Sequence, residues 1–307
     1  MTIRSDSRME RLVHQGVFCV TSEVVPPRGA DPSAVSTQAR GLVGYADAVN
    51  VTDNPTASAH MSVVAGSGLV AAAGLEPVTQ VTCRDRNRLG LTSDLLGAWA
   101  LGARNVLCLT GDPPTTGDHP QTKGVYDLDV MELIGLAAGL RRDGKLLSGA
   151  QVESPPRFFI GVADVPLSPE YRFERLEQKA DAGADFVQTQ IVFDVDAFGE
   201  WADRARSRGI FERMFVLAGV AVARGPKTAR YINQHLPGVV VPPRLIQLLE
   251  AAGPDAEAEG IRLAVEVVAK LKAIQGIAGI HVMGLGQMGP VRRVIEAAGL
   301  LPRPAAV

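Results

Sequence analysis

Eight short runs dominated by Val, Ile, Leu, Phe and Cys punctuate the chain: VFCVTSEV (17–24), AVNVT (48–52), PVTQVTC (77–83), NVLCLTG (105–111), FFIGVA (158–163), DFVQTQIVF (185–193), MFVLAGV (214–220) and GIHVMG (279–284). They are too short and too uniformly apolar for amphipathic helices, which predicts strands buried on both faces, as in a parallel sheet. The segments between them carry helix punctuation. Asp31-Pro32 offers an N-cap and an N1 proline ahead of SAVSTQARGLV, and Ser168-Pro169-Glu170 offers the same ahead of YRFERLEQKADAG, which should stop at Gly183. The stretch 111–156 holds a Pro/Gly loop, a helix near LDVMELIGLAAGL and a polar tail, and reads as an elaborated strand-to-helix connection. Strict strand–helix alternation repeated eight times without a break in composition predicts an α/β fold, a single TIM-type (β/α)8 barrel spanning 1–307.

One motif competes with that reading. Gly284, Gly286 and Gly289 spell G-x-G-x-x-G after the last apolar run, as in a dinucleotide-binding turn. Such a turn needs a second strand bringing an acidic residue to the ribose about 20 residues on, and the sequence closes at Val307 with LPRPAAV. In a barrel the same glycines form the loop after strand eight. There they either cradle a phosphate or polar ligand group at a helix N-terminus or simply allow a tight turn.

Composition narrows the partners. The 307 residues carry a formal charge of -2 with both signs interspersed, so there is no basic stripe for nucleic acid and no polybasic membrane anchor. The expected partners are small molecules or other protein chains, a homo-oligomer among them. Cys19, Cys83 and Cys108 are widely spaced in apolar contexts, which argues against a disulfide framework and a cysteine zinc site; no metal is expected. A charged N-terminus without an apolar signal core, and the lack of any long apolar span, point to a soluble cytoplasmic protein.

Barrel chemistry sits at the carboxyl ends of the strands. Strand one ends in Ser22-Glu23 before VVPP, which sets one carboxylate among apolar neighbours, where desolvation favours a neutral, proton-donating acid. The plainer reading is a strand-end glutamate held by a loop amide. Strand four ends in Thr110-Gly111-Asp112-Pro113-Pro114, an acid on a stiffened loop that also suits an Asx-type turn. Alternation turns Gln188 and Gln190 to the same side of strand six, where an amide can read a heterocycle edge or fill the barrel.

TSEVVPP, NVTDNP, QVTCRDRN, NVLCLTGDPP and KADAGADFVQTQIVFD occur in that order, and together they resemble methylenetetrahydrofolate reductases from about Gly16 to Gly299. The likeness is nearest to the reductase module that some bacteria fuse to a homocysteine methyltransferase. The resemblance implies a barrel that reduces 5,10-methylenetetrahydrofolate with NADH or NADPH through FAD. It further implies that Glu23 assists opening of the folate imidazolidine ring and that Asp112 lies near flavin and folate. Gln190 and Leu285 fall among the folate positions, and Thr52, Gln80, Thr110, Gly111 and Lys179 among the flavin positions. Gln80 stands where better-known members carry histidine, Thr110 where they carry arginine, and Gly286 where asparagine is common. A flavin-free reductase with direct hydride transfer, and a pterin-binding or methyl-transferring barrel that reduces nothing, stay open beside the flavoenzyme reading.

Overall fold

The computed structural model of the chain describes residues 2–236 and 238–304. Eight strands close a parallel barrel in sequence order: β1 (Cys19–Val24), β2 (Ala48–Val51), β3 (Pro77–Thr82), β4 (Asn105–Leu109), β5 (Phe159–Asp164), β6 (Phe186–Ile191), β7 (Phe215–Ala221) and β8 (Ile277–Met283). Because β8 pairs with β1 as well as with β7, no sheet edge is left for a further strand, which removes the dinucleotide-turn reading of the last glycines. Around the barrel run α1 (Arg8–His14), α2 (Pro32–Arg40), α3 (Val63–Ala72), α4 (Arg88–Ala100), α5 (Val130–Asp143), α6 (Phe173–Ala182), α7 (Val195–Ser207), α8 (Pro226–His235), α9 (Pro243–Ala251), α10 (Ala256–Ala273) and α11 (Met288–Ala297). None of these helices is long and apolar enough to cross a membrane.

Helix limits follow local chemistry in most places. The Asp31 carboxylate accepts from the Ser33 N–H and starts α2, and Gly183 ends α6 with φ 117°. The long connection carries α5, opened by a capping box between Asp129 and Glu132. The start expected at Ser168-Pro169 is not used. Those residues form turns, Ser168 N–H to Val165 O and Tyr171 N–H to Ser168 O, and α6 begins at Phe173 without a side-chain cap. A side-chain bond accompanies the delay: the Tyr171 hydroxyl donates to the Asp164 carboxylate at the end of β5, 2.7 Å away, which ties the turned segment back to the strand end.

The barrel interior is layered. At the amino-terminal end Cys19, Ala48, Val78, Leu107, Phe159 and Phe186 pack with Met9 and Val13 of α1, so that the charged N-terminal segment plugs the barrel floor. Val20, Val49, Val106, Ile160 and Val187 alternate with these and face the helices, forming part of the main core. One layer above the floor the interior turns polar, and the strand ends above that form the mouth.

Candidate active site at the barrel mouth

Glu23 follows Cys19 and Thr21 on the inner face of β1 and reaches the mouth half-buried. Burial pushes its carboxyl up to about 7, against the opposing effect of the nearby Leu285 backbone N–H. That N–H is aimed by the glycine loop after β8. Leu285 (φ 46°) and Gly286 (φ 84°) form the centre of a turn closed by Gln287 N–H to Gly284 O at 2.9 Å. A left-handed leucine costs roughly 1–2 kcal/mol, so the turn holds it against a local preference. Of the two readings the sequence left open for this loop, the tight turn is the one seen, with the Leu285 N–H turned toward a carboxylate of the protein itself.

Under the mouth lies a network that sequence reasoning missed. Asn50 of β2 and Gln188 of β6 exchange two amide hydrogen bonds, of 2.7 and 3.1 Å, across the barrel. Gln188 also donates to Thr21 Oγ1 (3.3 Å), which lies 2.9 Å from His281 Nδ1 on β8. Burial pulls the His281 pKa down to about 4, so the imidazole is neutral and the layer is polar without charge. The expected shared orientation of Gln188 and Gln190 yields two different roles. Gln188 is consumed within this polar layer, whereas Gln190 stands half-buried one layer higher, its Oε1 accepting from the Ile191 N–H at 3.0 Å where the β6–β7 register shifts. That leaves its amide N–H groups without a partner among the described residues. The signal for Asn50 and His281 was a polar residue at an inner-facing position of an otherwise apolar strand.

On the β2–β4 side, the Thr52 hydroxyl is enclosed with no hydrogen-bond partner among the described residues. Gln80 lies half-buried on β3, and Thr110 is exposed at the end of β4. Gly111 takes φ 92°, and a Cβ there would come within 3.0 Å of the Arg84 Cβ and 3.1 Å of the Thr82 Cβ, so the position requires glycine. Asp112 is exposed, and its carboxylate accepts from the Thr56 N–H in the loop after β2 (3.1 Å). Its carbonyl accepts from Arg84, a buried residue that also grips Asp85 through two bonds and the Asn54 carbonyl. Arg84, not singled out in the sequence, therefore clamps the loops after β2, β3 and β4 together.

Lys179 comes to the mouth from α6. Its ammonium donates to the Ala163 carbonyl at 2.6 Å and lies 3.7 Å from Asp164. Burial lowers the Lys179 pKa and raises that of Asp164, with their mutual attraction opposing both shifts. Together with Tyr171, Arg172 and Arg175 they line a cleft of about 850 Å³ beside the end of β5. The cleft offers the cations Arg172, Arg175 and Lys179 beside the carboxylates of Asp164 and Glu170, a lining that suits a phosphate-bearing group, and the orphaned Thr52 hydroxyl is a separate donor on the β2 side. No cluster of metal-ligating side chains occurs among the described residues.

Comparison with known proteins places this geometry in a family. The chain matches the family profile described as "Methylenetetrahydrofolate reductase" over residues 8–299. It is similar to methylenetetrahydrofolate reductase 1 of Schizosaccharomyces pombe, with 30% identity over 235 residues covering 72% of this chain and 35% of that protein. It is also similar to a probable methylenetetrahydrofolate reductase (NADPH) of Caenorhabditis elegans, 25% identical over 95% of this chain and 44% of the relative. The 5,10-methylenetetrahydrofolate reductase of Salmonella typhimurium is 26% identical over 76% of this chain and 74% of the relative. The matched region thus spans less than half of the two eukaryotic relatives and about three quarters of the bacterial one. Among solved structures, an uncharacterized protein from Clostridium thermocellum that binds two copies of 5-methyl-5,6,7,8-tetrahydrofolic acid superposes with a TM-score of 0.65 at 11% identity, covering 95% of this chain and all of that one. That likeness bears on the fold. The sequence matches carry the family and not the finer likeness to a fused reductase module.

Proposed function

The chain belongs to the methylenetetrahydrofolate reductase family, and from that premise we propose that it reduces 5,10-methylenetetrahydrofolate to 5-methyltetrahydrofolate at the expense of NADH or NADPH. The observation that carries the reading is Glu23, a carboxyl at the barrel mouth whose affinity for its proton is raised into the neutral range. The bridging methylene of the substrate becomes electrophilic only when the five-membered ring opens to an iminium at N5, and opening requires a proton on N10 as that nitrogen leaves. Protonated Glu23 supplies it, and a group that titrates near the working pH is suited both to give the proton and to recover it. The Leu285 N–H then stabilises the carboxylate left behind. Gln190, with its amide donors free, holds the pterin edge.

FAD, when bound, supplies the hydride relay between nicotinamide and folate. Thr52, Gln80, Thr110, Gly111, Asp112 and Lys179 would hold it. The enclosed Thr52 hydroxyl supports this assignment, and Arg84 keeps the Asp112 loop in place for it. Thr110 also favours a second reading. An exposed, uncharged hydroxyl stands where the family resemblance implies an arginine, which removes a cation from the flavin region and leaves room for a flavin-free reductase. Anaerobic NAD(P)H oxidation with methylenetetrahydrofolate, run with and without FAD on flavin-stripped protein, separates the cases. FAD-dependent turnover supports the flavoenzyme, undiminished turnover of stripped protein supports direct transfer, and folate binding without turnover overturns the reductase reading.

A further inference from the structure

We propose that Arg224, with Lys227 three residues on, forms a cationic station on the β7–α8 rim that binds an anionic group of a substrate, a carboxylate or a phosphate. The inference rests on the reductase reading of the same mouth. Arg224 follows β7 by three residues, and its Nε is enclosed with no hydrogen-bond partner among the described residues. Its base is fixed in place. Gly260 of α10 lies so close that a Cβ there would meet the Ala223 carbonyl oxygen at 2.2 Å. The station also adjoins the proposed chemistry. Ala221 is in register with Met283 of β8, and Ala221, Ala223, Met283 and Leu285 share one apolar cluster, so the Arg224 loop leaves the barrel beside the loop that contacts Glu23.

The chain on either side of the station carries few acids. No acidic residue occurs between Glu212 and Glu250 or between Glu266 and Glu296, stretches that contain β7, β8 and the loops leaving both. Three other cations of these elements are engaged: Arg230 pairs with Glu250, Arg293 with Glu257 at 3.0 Å, and Arg292 lies over the Tyr45 ring. At the start of α10, which packs against this loop, Glu257 is held by Arg293 and Glu259 by Arg262. No carboxylate among the described residues comes within ion-pair distance of Arg224. A half-buried guanidinium that pairs with no carboxylate among the described residues, on the rim of a substrate mouth, suits a ligand oxyanion. Both substrates carry one, as glutamyl carboxylates on the folate and phosphates on the dinucleotide.

The test compares Arg224→Met, Arg224→Lys and, as a control for loss of a surface cation, Arg40→Met. Michaelis constants are measured for methylenetetrahydrofolate as mono- and triglutamate and for NADH and NADPH. Arg224→Met should raise one of them by about ten-fold or more, as expected for loss of a charge-assisted bond, with most of the loss in KM, and Arg224→Lys should recover part of it. A rise confined to folate and larger for the triglutamate identifies the carboxylates. A rise for NADPH but not NADH identifies the 2′-phosphate, and an equal rise for both identifies the diphosphate. Wild-type turnover with every constant of Arg224→Met unchanged overturns this inference alone. Wild-type protein that neither binds nor reduces folate overturns the reductase reading and this inference with it.

Discussion

At the scale of single residues, Glu23 couples stability to chemistry. In the folded chain its pKa rises from 4.5 to about 7 because burial disfavours the charge, so the native state holds this proton more tightly than the unfolded one. Stability contributed by the neutral carboxyl is therefore lost as pH rises from about 4.5 to about 7 and is constant above that. Glu23→Gln keeps an acceptor for the Leu285 N–H and cannot ionise. It should match wild type near pH 4 and exceed it by about 2 kcal/mol above pH 7, a figure reduced for the partial exposure of the site. Urea unfolding at the two pH values checks this. The same variant should slow folate reduction by about 10² or more while leaving any nicotinamide-to-flavin step intact. In the wild type the folate step should fall with a limb near pH 7 as the acid deprotonates. Gln190→Glu retains the acceptor for the Ile191 N–H but loses the amide donors, so folate affinity should drop by roughly 1–3 kcal/mol. Titration with 5-methyltetrahydrofolate measures it, and an equal loss of nucleotide binding would indicate a packing role instead.

At the scale of elements, the polar layer ties β1, β2, β6 and β8 together through four side chains. Gln188→Ala removes the partner of Asn50 and one of the partners of Thr21, leaving buried polar groups unsatisfied, and should cost about 2–3 kcal/mol. Combining it with Asn50→Ala should cost much less than the sum of the single changes, because the second substitution removes the orphan made by the first. Additive losses in chemical denaturation would mean that the two amides do not act as a pair. Element limits were readable where the cause was local. The caps at Asp31 and Gly183 are examples. The start of α6 was not, since the turns at Ser168 and the bond from Tyr171 to Asp164 compete with the cap signal at Ser168-Pro169.

At the scale of the whole molecule, the barrel separates a stabilising end from a reactive end. Met9 of α1 is fully buried against the floor formed by Cys19, Val78 and Phe186, at the end opposite Glu23. Met9→Ala should therefore cost roughly 2–4 kcal/mol of stability and leave the Michaelis constants for folate and nucleotide near wild-type values. A thermal melt and a steady-state assay on one preparation test the separation, and a variant that loses substrate affinity while keeping its melting point would contradict it. The N-terminal segment had been read only for its lack of a targeting signal. Its role as a plug depends on two apolar side chains, Met9 and Val13, too few to stand out as a pattern along seven helical residues.

What the sequence determined by itself was the set of eight strands, their order and parallel pairing, and the rim positions of Glu23, Asp112 and Gln190. Each of these follows from signals within a few residues: apolar runs buried on both faces, the two-residue period of a strand, and the rule that strand ends hold the mouth. Tertiary structure alone decided which rim residues act on one another. Glu23 and Leu285 lie 262 positions apart in the numbering, and Thr21 and His281 lie 260 apart. Arg84 reaches Asp112 across 28 positions. Closing the barrel brings the first and last strands side by side, and only then does a strained turn of the eighth loop acquire a carboxylate to face. A hydrogen bond between distant segments leaves no periodic trace along the chain, so the partners of these residues become visible only when the strands are assembled.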